Sequence, residues 1–173
     1  MARWSEIVAE APEFAAAVQA RFDAHKHKTL ATLRADGSPR ISAIEAQFLD
    51  GDLWLGMMPD SRKALDLRRD PRLALHSASP EASGDDPSGW VGDAKIAGRA
   101  EEITDTKEAN AVMRRLNPPP EGSPEEAESP TVGGHIFRID ITEAVVNRIG
   151  ATGDHMLIQM WHPGRGLRAV KRA

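Results

Sequence analysis

Two tight turns in the first third of the chain place the strongest constraint on its fold. They lie at 35–38 and 50–52, and each contains an Asp-Gly pair. Glycine readily adopts the positive φ that short hairpin turns require. The segments 28–34, 39–49 and 53–58 beside them have strand-like patterns. Three strands joined by two such turns predict an antiparallel meander.

The remaining pattern predicts further short strands with few helices between them. The length of 173 residues suits one domain, so we expect a single domain over 1–173. Strands and tight turns of this kind predict a mainly β protein with peripheral helices, built as a closed or partly closed antiparallel barrel. The further predicted strands are 72–77, 93–103, 135–141, 145–149 and 156–161, the helices are 5–26, 61–69 and 104–116, and the loops are 79–92 and 117–132, the latter expected to be mobile.

The N-terminal segment 1–26 is predicted to be helical. Phe14, Val18 and Phe22 repeat every four residues and form one apolar stripe. Such a stripe predicts a helix that covers one side of the sheet.

Composition excludes several classes of function. The chain has no cysteine, which excludes disulfides, cysteine-ligated zinc, iron–sulfur clusters and thiol catalysis, and fits a reducing compartment. The net charge of -4 gives no basic excess for bulk nucleic-acid binding. No run approaches the roughly 20 apolar residues of a membrane span, and the first residues turn acidic where a signal peptide would be apolar. We therefore expect a cytoplasmic protein without nucleic-acid or membrane partners.

The segment 57–64 carries the strongest chemical signal. A strand ends there, a turn follows, and a helix begins with Ser61, Arg62 and Lys63. A helix N-terminus offers free amide N–H groups, and a hydroxyl, a guanidinium and an ammonium add further donors for a phosphate. Arg40, early in the neighbouring strand, can reach the same group. The alternative is an ordinary helix cap with two solvated cations.

A second informative segment runs from Trp161 to Arg168. A predicted strand ends on the tryptophan and continues into a basic loop rich in glycine. Trp161 can pack beside a ring cofactor and Arg168 can meet an anion. The alternative is a core tryptophan followed by a loose basic tail.

Other candidate sites are weaker. His25 and His27 without a nearby carboxylate make a poor metal site, so no metal is expected. Neither Ser42 nor Ser77 lies in a nucleophile elbow, and no glycine-rich loop fits a Rossmann or P-loop pattern.

Several of these segments are similar to the pyridoxamine 5′-phosphate oxidase-like family of FMN-binding split barrels. The run 29–40, Thr-Leu-Ala-Thr-Leu-Arg-Ala-Asp-Gly-Ser-Pro-Arg, resembles the family's opening hairpin. The run 61–75, Ser-Arg-Lys-Ala-Leu-Asp-Leu-Arg-Arg-Asp-Pro-Arg-Leu-Ala-Leu, is more specific. The stretches 97–101 and 161–168 also fit, and the resemblance spans about 25–170.

The resemblance implies a six-stranded antiparallel split β-barrel of Greek-key type, assembled as a homodimer with FMN between the subunits. Trp161 and Arg168 would approach the flavin from the other subunit. The cofactor-binding residues that it implies within one subunit are Arg40, Ser42, Met57, Ser61, Arg62 and Lys63.

Three positions depart from the family pattern. Glu45 stands where a lysine is usual, Gly56-Met57 replaces an aromatic-threonine pair, and Asp93 replaces a glutamine. Each change removes a donor or a cation from the surroundings of an anionic cofactor. The departures predict a flavin held more weakly or in another pose than in the oxidases themselves.

The expected function is hydride transfer between FMN and a small organic substrate. One alternative is a reductase of the same fold that uses the deazaflavin coenzyme F-420, which also carries a phosphate and a long anionic tail. The other is a flavin or haem carrier without turnover, since a fold does not fix a function.

Overall fold

The computed structural model describes residues 1–81, 89–118 and 134–173. Within this part the chain forms one nine-stranded antiparallel sheet with helices around it. The predicted loop at 117–132 lies almost wholly outside the described residues, as does much of 79–92. No helix of the described part is long and apolar enough to cross a membrane. The elements are α1 (Trp4–Glu10), α2 (Pro12–Asp23), β1 (Lys28–Leu33), β2 (Pro39–Ile44), β3 (Ala46–Leu49), β4 (Asp52–Met57), α3 (Arg62–Arg69), β5 (Arg72–His76), β6 (Asp93–Glu102), α4 (Thr106–Leu116), β7 (His135–Ile149), β8 (Met156–His162) and β9 (Gly166–Arg172).

The sheet closes into a barrel. Its strand order is β2-β1-β5-β6-β7-β4-β3, and only Glu45 separates β2 from β3. The two ends of the path are therefore consecutive in sequence. Counted as one bent strand, β2 and β3 complete a barrel of six strands, as predicted, and β8 and β9 extend it as a hairpin beside β7.

The predicted hairpin turns are confirmed. Gly37 has φ +82° and Gly51 has φ +78°, both in the left-handed region that favours glycine. The register follows, with Ala31 opposite Ile41 across the first hairpin. The segment 39–49 was expected as one strand, but the chain bends at Glu45 because its first half pairs with β1 and its second with β4.

The strand β7 replaces two predicted strands. Its first half pairs with β4 and its second half with β8, while β6 lies along its other side. The pairing with β6 shifts between Ala97 and Gly98, so that Thr142 is an extra residue on β7. The bulge interrupts the alternation of inward and outward side chains along β7. In the sequence pattern this interruption therefore looks like the end of one strand and the beginning of another.

The core fills the barrel and the space beneath the N-terminal helices. Phe14, Val18 and Phe22 are all buried, which confirms the stripe predicted for this segment. Trp4 of α1 meets Phe48 of β3 with ring centroids 4.4 Å apart. A smaller apolar cluster lies under α4, around Trp54, Leu116 and Ile136. At the start of α3, Arg62 is exposed, and Ser61 and Lys63 are half-buried.

Candidate cofactor site

The helix α3 begins where the sequence predicts an anion site. Ser61 is its N-cap residue, with extended backbone, and its hydroxyl makes no capping hydrogen bond. Its Oγ atom is buried and has no hydrogen-bond partner in the described structure. A buried hydroxyl without a partner is costly, and such atoms often mark the place of a ligand or water. Ser61 therefore offers one unused donor at the start of the helix.

A buried carboxylate organises the neighbouring residues. Asp66 of α3 is 5% exposed, and its Oδ2 accepts hydrogen bonds from Thr32 Oγ1 at 2.9 Å and from Arg40 Nε at 2.6 Å. Its Oδ1 accepts from Arg69 Nη2 at 3.1 Å. Burial opposes ionisation of Asp66, but the hydrogen bonds from Arg40, Arg69 and Thr32 outweigh it, so the pKa of Asp66 lies below its usual value. The ionised carboxylate thus fixes Arg40 through Nε, and the two Nη atoms have no hydrogen-bond partner among the described residues.

A cavity of about 390 Å³ opens beside this network. It lies between the β1–β2 turn and one face of α3. Four of the residues around it are arginines and two are aspartates, which gives the cavity a net positive charge. The lining residues are Arg34, Ala35, Asp36, Arg40, Arg62, Leu65, Asp66 and Arg69. Of the predicted site residues, Arg40 and Arg62 are thereby brought together.

Lys63 lies on another side of the helix start. Its Nζ donates to the carbonyl oxygen of Ala43 on β2 at 2.6 Å. Burial lowers the pKa of Lys63 from its usual value. This bond ties α3 to the strand that carries Arg40 and Ser42, whose side chains point to the same face of β2 because they are two residues apart. The ammonium keeps two further donors.

The other predicted site residues lie apart from this cluster. Met57 ends β4 and its side chain is in the core. Trp161 is 1% exposed, and its Nε1 donates to Glu10 Oε2 at 3.1 Å, so within this chain it is a core residue. Arg168 is exposed on β9, opposite Met160. The interpretation of 162–168 as a loop was wrong from Gly166 onward, because β9 pairs with β8 along its whole length.

The two acidic departures from the family pattern have partners of their own. Glu45 forms an ion pair with Lys26 at 3.3 Å, and its Oε1 lies 3.8 Å from His27 Nε2. Asp93 is buried and accepts a hydrogen bond from Asn147 Nδ2 at 3.0 Å. Neither carboxylate lines the cavity beside α3.

Arg34, Asp66 and Arg69 are among the cavity residues that the sequence pattern did not indicate. Arg34 and Arg69 line the cavity, and Asp66 holds two of its arginines. Helical spacing is the sequence signal that could have indicated Asp66 and Arg69, since positions 62, 65, 66 and 69 fall on one helix face. Among the described residues, no group of three histidine or acidic side chains could hold a metal ion.

In the described part of the chain, one broad face of the sheet is uncovered near its centre, where the side chains are exposed or half-buried. Side chains of directly paired residues share a face. Ile41 is 68% exposed, and a row of small residues extends from it across three further strands, at Ala31, Ala74 and Ala97. The adjacent row on this face consists of Ala43, Thr29, His76, Lys95, Val145, Met160 and Arg168.

Comparison with known proteins agrees with the fold. The family model described as pyridoxamine 5′-phosphate oxidase matches residues 14–144. No curated protein sequence matches the chain significantly. A pyridoxamine 5′-phosphate oxidase-related, FMN-binding protein of Nostoc punctiforme is similar in structure, with TM-score 0.61 and 14% identity over 94% of this chain and 96% of that one.

Two further solved structures are similar. One is a conserved hypothetical protein of Mycobacterium tuberculosis, with TM-score 0.57 and 23% identity over 75% of this chain and 81% of that one. The other is described as a pyridoxamine 5′-phosphate oxidase of Listeria innocua, with TM-score 0.53 and 15% identity over 75% and 94%. At these identities the likeness shows a shared fold.

Proposed function

Since the chain belongs to the pyridoxamine 5′-phosphate oxidase family, we propose that it binds FMN and transfers a hydride to or from a small organic substrate. The observation that carries the proposal is the start of α3. There, the buried hydroxyl of Ser61 has no hydrogen-bond partner among the described residues, and Arg62 and Lys63 follow it in the first turn of the helix.

The residues present fit the phosphate of such a cofactor. Ser61 supplies a hydroxyl without a partner in the described structure, and Arg62 and Arg40 both line the cavity. Asp66 takes only the Nε of Arg40, so the planar fork is oriented in advance. A donor set that is already oriented loses little entropy when it binds an anion. Arg40, Ser61, Arg62 and Lys63 would hold the phosphate.

When bound, the flavin supplies the hydride chemistry. The protein's own residues at this site bind and orient, because hydrogen bonds lower the pKa of both carboxylates of the cavity and make them weaker bases. Asp36 accepts hydrogen bonds from the Ser38 hydroxyl at 2.7 Å and the Ser38 amide at 2.9 Å, and these lower its pKa. Asp66 is occupied by its three donors. Hydride transfer is a reaction that needs no acid–base pair at the phosphate end.

We also propose that the protein acts as a homodimer through the uncovered sheet face. Arg168 lies on this face in the same row as Ala43. Counted from β2 through β1, β5, β6, β7 and β8 to β9, the two residues are six strand spacings of about 4.8 Å apart, or roughly 29 Å along the sheet. In the described sheet, Arg168 therefore lies on a strand that does not neighbour β2. A two-fold dimer pairs the same face of both subunits, which can bring the partner subunit's β9 toward this site. The exposed Ile41 supports such burial.

A deazaflavin cofactor is the second candidate, and the four arginines around the cavity favour it. Arginines line it beyond the start of α3, at Arg34 and Arg69, where a longer anionic tail would extend. The site residues for the ring and first phosphate would be the same as for FMN.

The first experiment identifies the cofactor and asks whether it turns over. Absorption and mass spectra of the purified protein would show a flavin or deazaflavin, and reduced nicotinamide would be added to follow bleaching of the bound ring. We expect a flavin-type spectrum that is lost in the variant Ser61→Ala/Arg62→Ala/Lys63→Ala and kept in Arg72→Ala, which changes an exposed arginine outside the cavity. A bound ring that no reductant bleaches would instead indicate a carrier, and absence of any bound or added flavin would refute the proposal.

A further inference from the structure

The hairpin of β8 and β9 is held to the rest of the sheet along one side. In the described sheet β8 pairs with β7 and β9, and β9 pairs with β8. Every residue of β9 is exposed or half-buried, so little packing fixes the direction of this strand. Arg168 lies on β9, opposite Met160. A contact that fixes the hairpin therefore also fixes the place of Arg168.

Glu10, the last residue of α1, makes such a contact. Its Oε2 accepts a hydrogen bond from Trp161 Nε1 at 3.1 Å, across 151 residues of sequence. Trp161 is 1% exposed and follows Met160 in β8. The helix α1 is itself anchored, because its residues Trp4 and Ile7 are buried in the core. The hydrogen bond thus ties the hairpin to a helix that packs on the core.

The same carboxylate lies close to the start of β9. Gly166, the first residue of that strand, has φ +64°. A Cβ at this position would lie 2.9 Å from Glu10 Oε1, which is closer than real Cβ atoms come to a neighbour. Glycine therefore lets β9 begin against the carboxylate. Gly166 is opposite His162, the last residue of β8, so Glu10 meets both strands where the hairpin turns.

This tie lies next to Arg168. Gly166 precedes Arg168 by two residues, which is about 7 Å along a strand. Arg168 is exposed, and it lies on the sheet face through which we propose the dimer. A guanidinium must come within about 3 Å of an oxygen to bind it, so a shift of the hairpin by about 1–2 Å would lose the contact.

We propose that Glu10 is a positioning residue of the cofactor site. Through Trp161 it holds the hairpin of β8 and β9 in the direction in which Arg168 meets the cofactor bound to the partner subunit. This inference rests on the proposed function and on the dimer that belongs to it. It also gives the buried Trp161 a part in cofactor binding, through the hairpin that it anchors.

The test is a double-mutant cycle on FMN binding, measured by fluorescence titration. Glu10→Ala and Arg168→Ala are made singly and together. We expect each single variant to weaken FMN binding about tenfold or more, as the loss of one charge-assisted hydrogen bond does. Once the hairpin is displaced, Arg168 has no contact left to lose, so the double variant should bind within about twofold of the weaker single variant.

Three further variants separate positioning from charge and from fold. Glu10→Gln should bind FMN like the wild type, because its amide oxygen also accepts from Trp161 Nε1. Glu13→Ala removes an exposed glutamate of the neighbouring helix, and Lys171→Ala removes a cation from the other side of β9. Both controls should stay within about twofold of the wild type.

Four results would overturn the inference. Losses that multiply in the double variant would mean that Glu10 acts on the fold alone. The others are an Arg168→Ala variant that binds FMN like the wild type, an equal loss in Glu10→Gln and Glu10→Ala, and a wild type that binds FMN as a monomer in sedimentation. In each of these cases FMN binding itself stands. If the wild type binds no FMN, the proposed function fails instead.

Discussion

Asp66 is predicted to be the most sensitive polar residue near the site. Replacing it by alanine would leave the buried hydroxyl of Thr32 without a partner and the guanidinium of Arg40 without its anion. An unsatisfied buried group costs about 1–3 kcal/mol, and a hydrogen bond to a charged group contributes about 1.5–3 kcal/mol. We therefore expect Asp66→Ala to lower the free energy of unfolding by about 3 kcal/mol. At this chain length, that corresponds to roughly 6–12 °C in Tm.

Urea unfolding at pH 7, without added cofactor, measures this cost. The matched control is Asp70→Ala, because Asp70 also pairs with an arginine, Arg72, but on the surface. Exposed pairs contribute little to stability, so the control should differ only slightly from the wild type. A loss in Asp66→Ala no larger than that in Asp70→Ala would refute the assignment of Asp66 as the centre of a buried network.

The same carboxylate predicts how stability depends on pH. The pKa of Asp66 is lowered in the folded protein, so the unfolded state binds more protons and stability rises with pH. The contribution of Asp66 is complete above the unfolded value of about 3.9 and is lost as the pH falls through the folded value. The difference in stability between wild type and Asp66→Asn should therefore shrink below about pH 4. A difference that stays constant from pH 7 to pH 3 would contradict this mechanism.

Three other predictions concern single positions. Gly98→Ala should lower the free energy of unfolding by about 2 kcal/mol or more, because the new Cβ would lie 2.4 Å from a backbone oxygen of β7. The control Gly37→Ala has open space around its Cβ and should cost only about 1 kcal/mol. Equal losses of the two variants in thermal unfolding would contradict this prediction. Trp161→Ala should cost about 3–5 kcal/mol in urea unfolding because the side chain is in the core, and a loss below about 1 kcal/mol would contradict that placement. Ser61→Ala should leave Tm unchanged, since the hydroxyl has no partner in the described structure, yet weaken FMN binding about 10- to 100-fold; a drop in Tm with unchanged binding would reverse this assignment.

The barrel could be predicted from local signals in the sequence. The turns at Gly37 and Gly51 require a positive φ at the glycine, and the Asp-Gly pairs in the sequence indicate it. The apolar stripe on α2 follows from the helical spacing of its apolar residues. What failed was the division of long strands. The bend at Glu45 and the bulge at Thr142 both lie in segments that pair with more than one strand. These partner strands are distant in sequence, so local patterns do not reveal them.

The site was predictable only at its start. The first helical residues Arg62 and Lys63 directly follow Ser61 in sequence. Their local pattern therefore predicts a helix N-terminus. Asp66 gave no such signal, because an aspartate within a helix usually faces solvent. Its role depends on Thr32 and Arg40, which are 34 and 26 residues away. Trp161 lies in the core of its own chain, and its contact with a flavin of the other subunit stays a prediction.

The most direct test of the account compares FMN with riboflavin, which lacks the phosphate. Both are titrated with the wild type and with Ser61→Ala/Arg62→Ala/Lys63→Ala. Several charge-assisted hydrogen bonds to the phosphate predict that the wild type binds FMN at least about 100-fold more tightly than riboflavin, and that the variant loses most of this preference. Equal affinity of the wild type for the two, or an unchanged preference in the variant, would contradict the claim that the start of α3 holds the cofactor's phosphate.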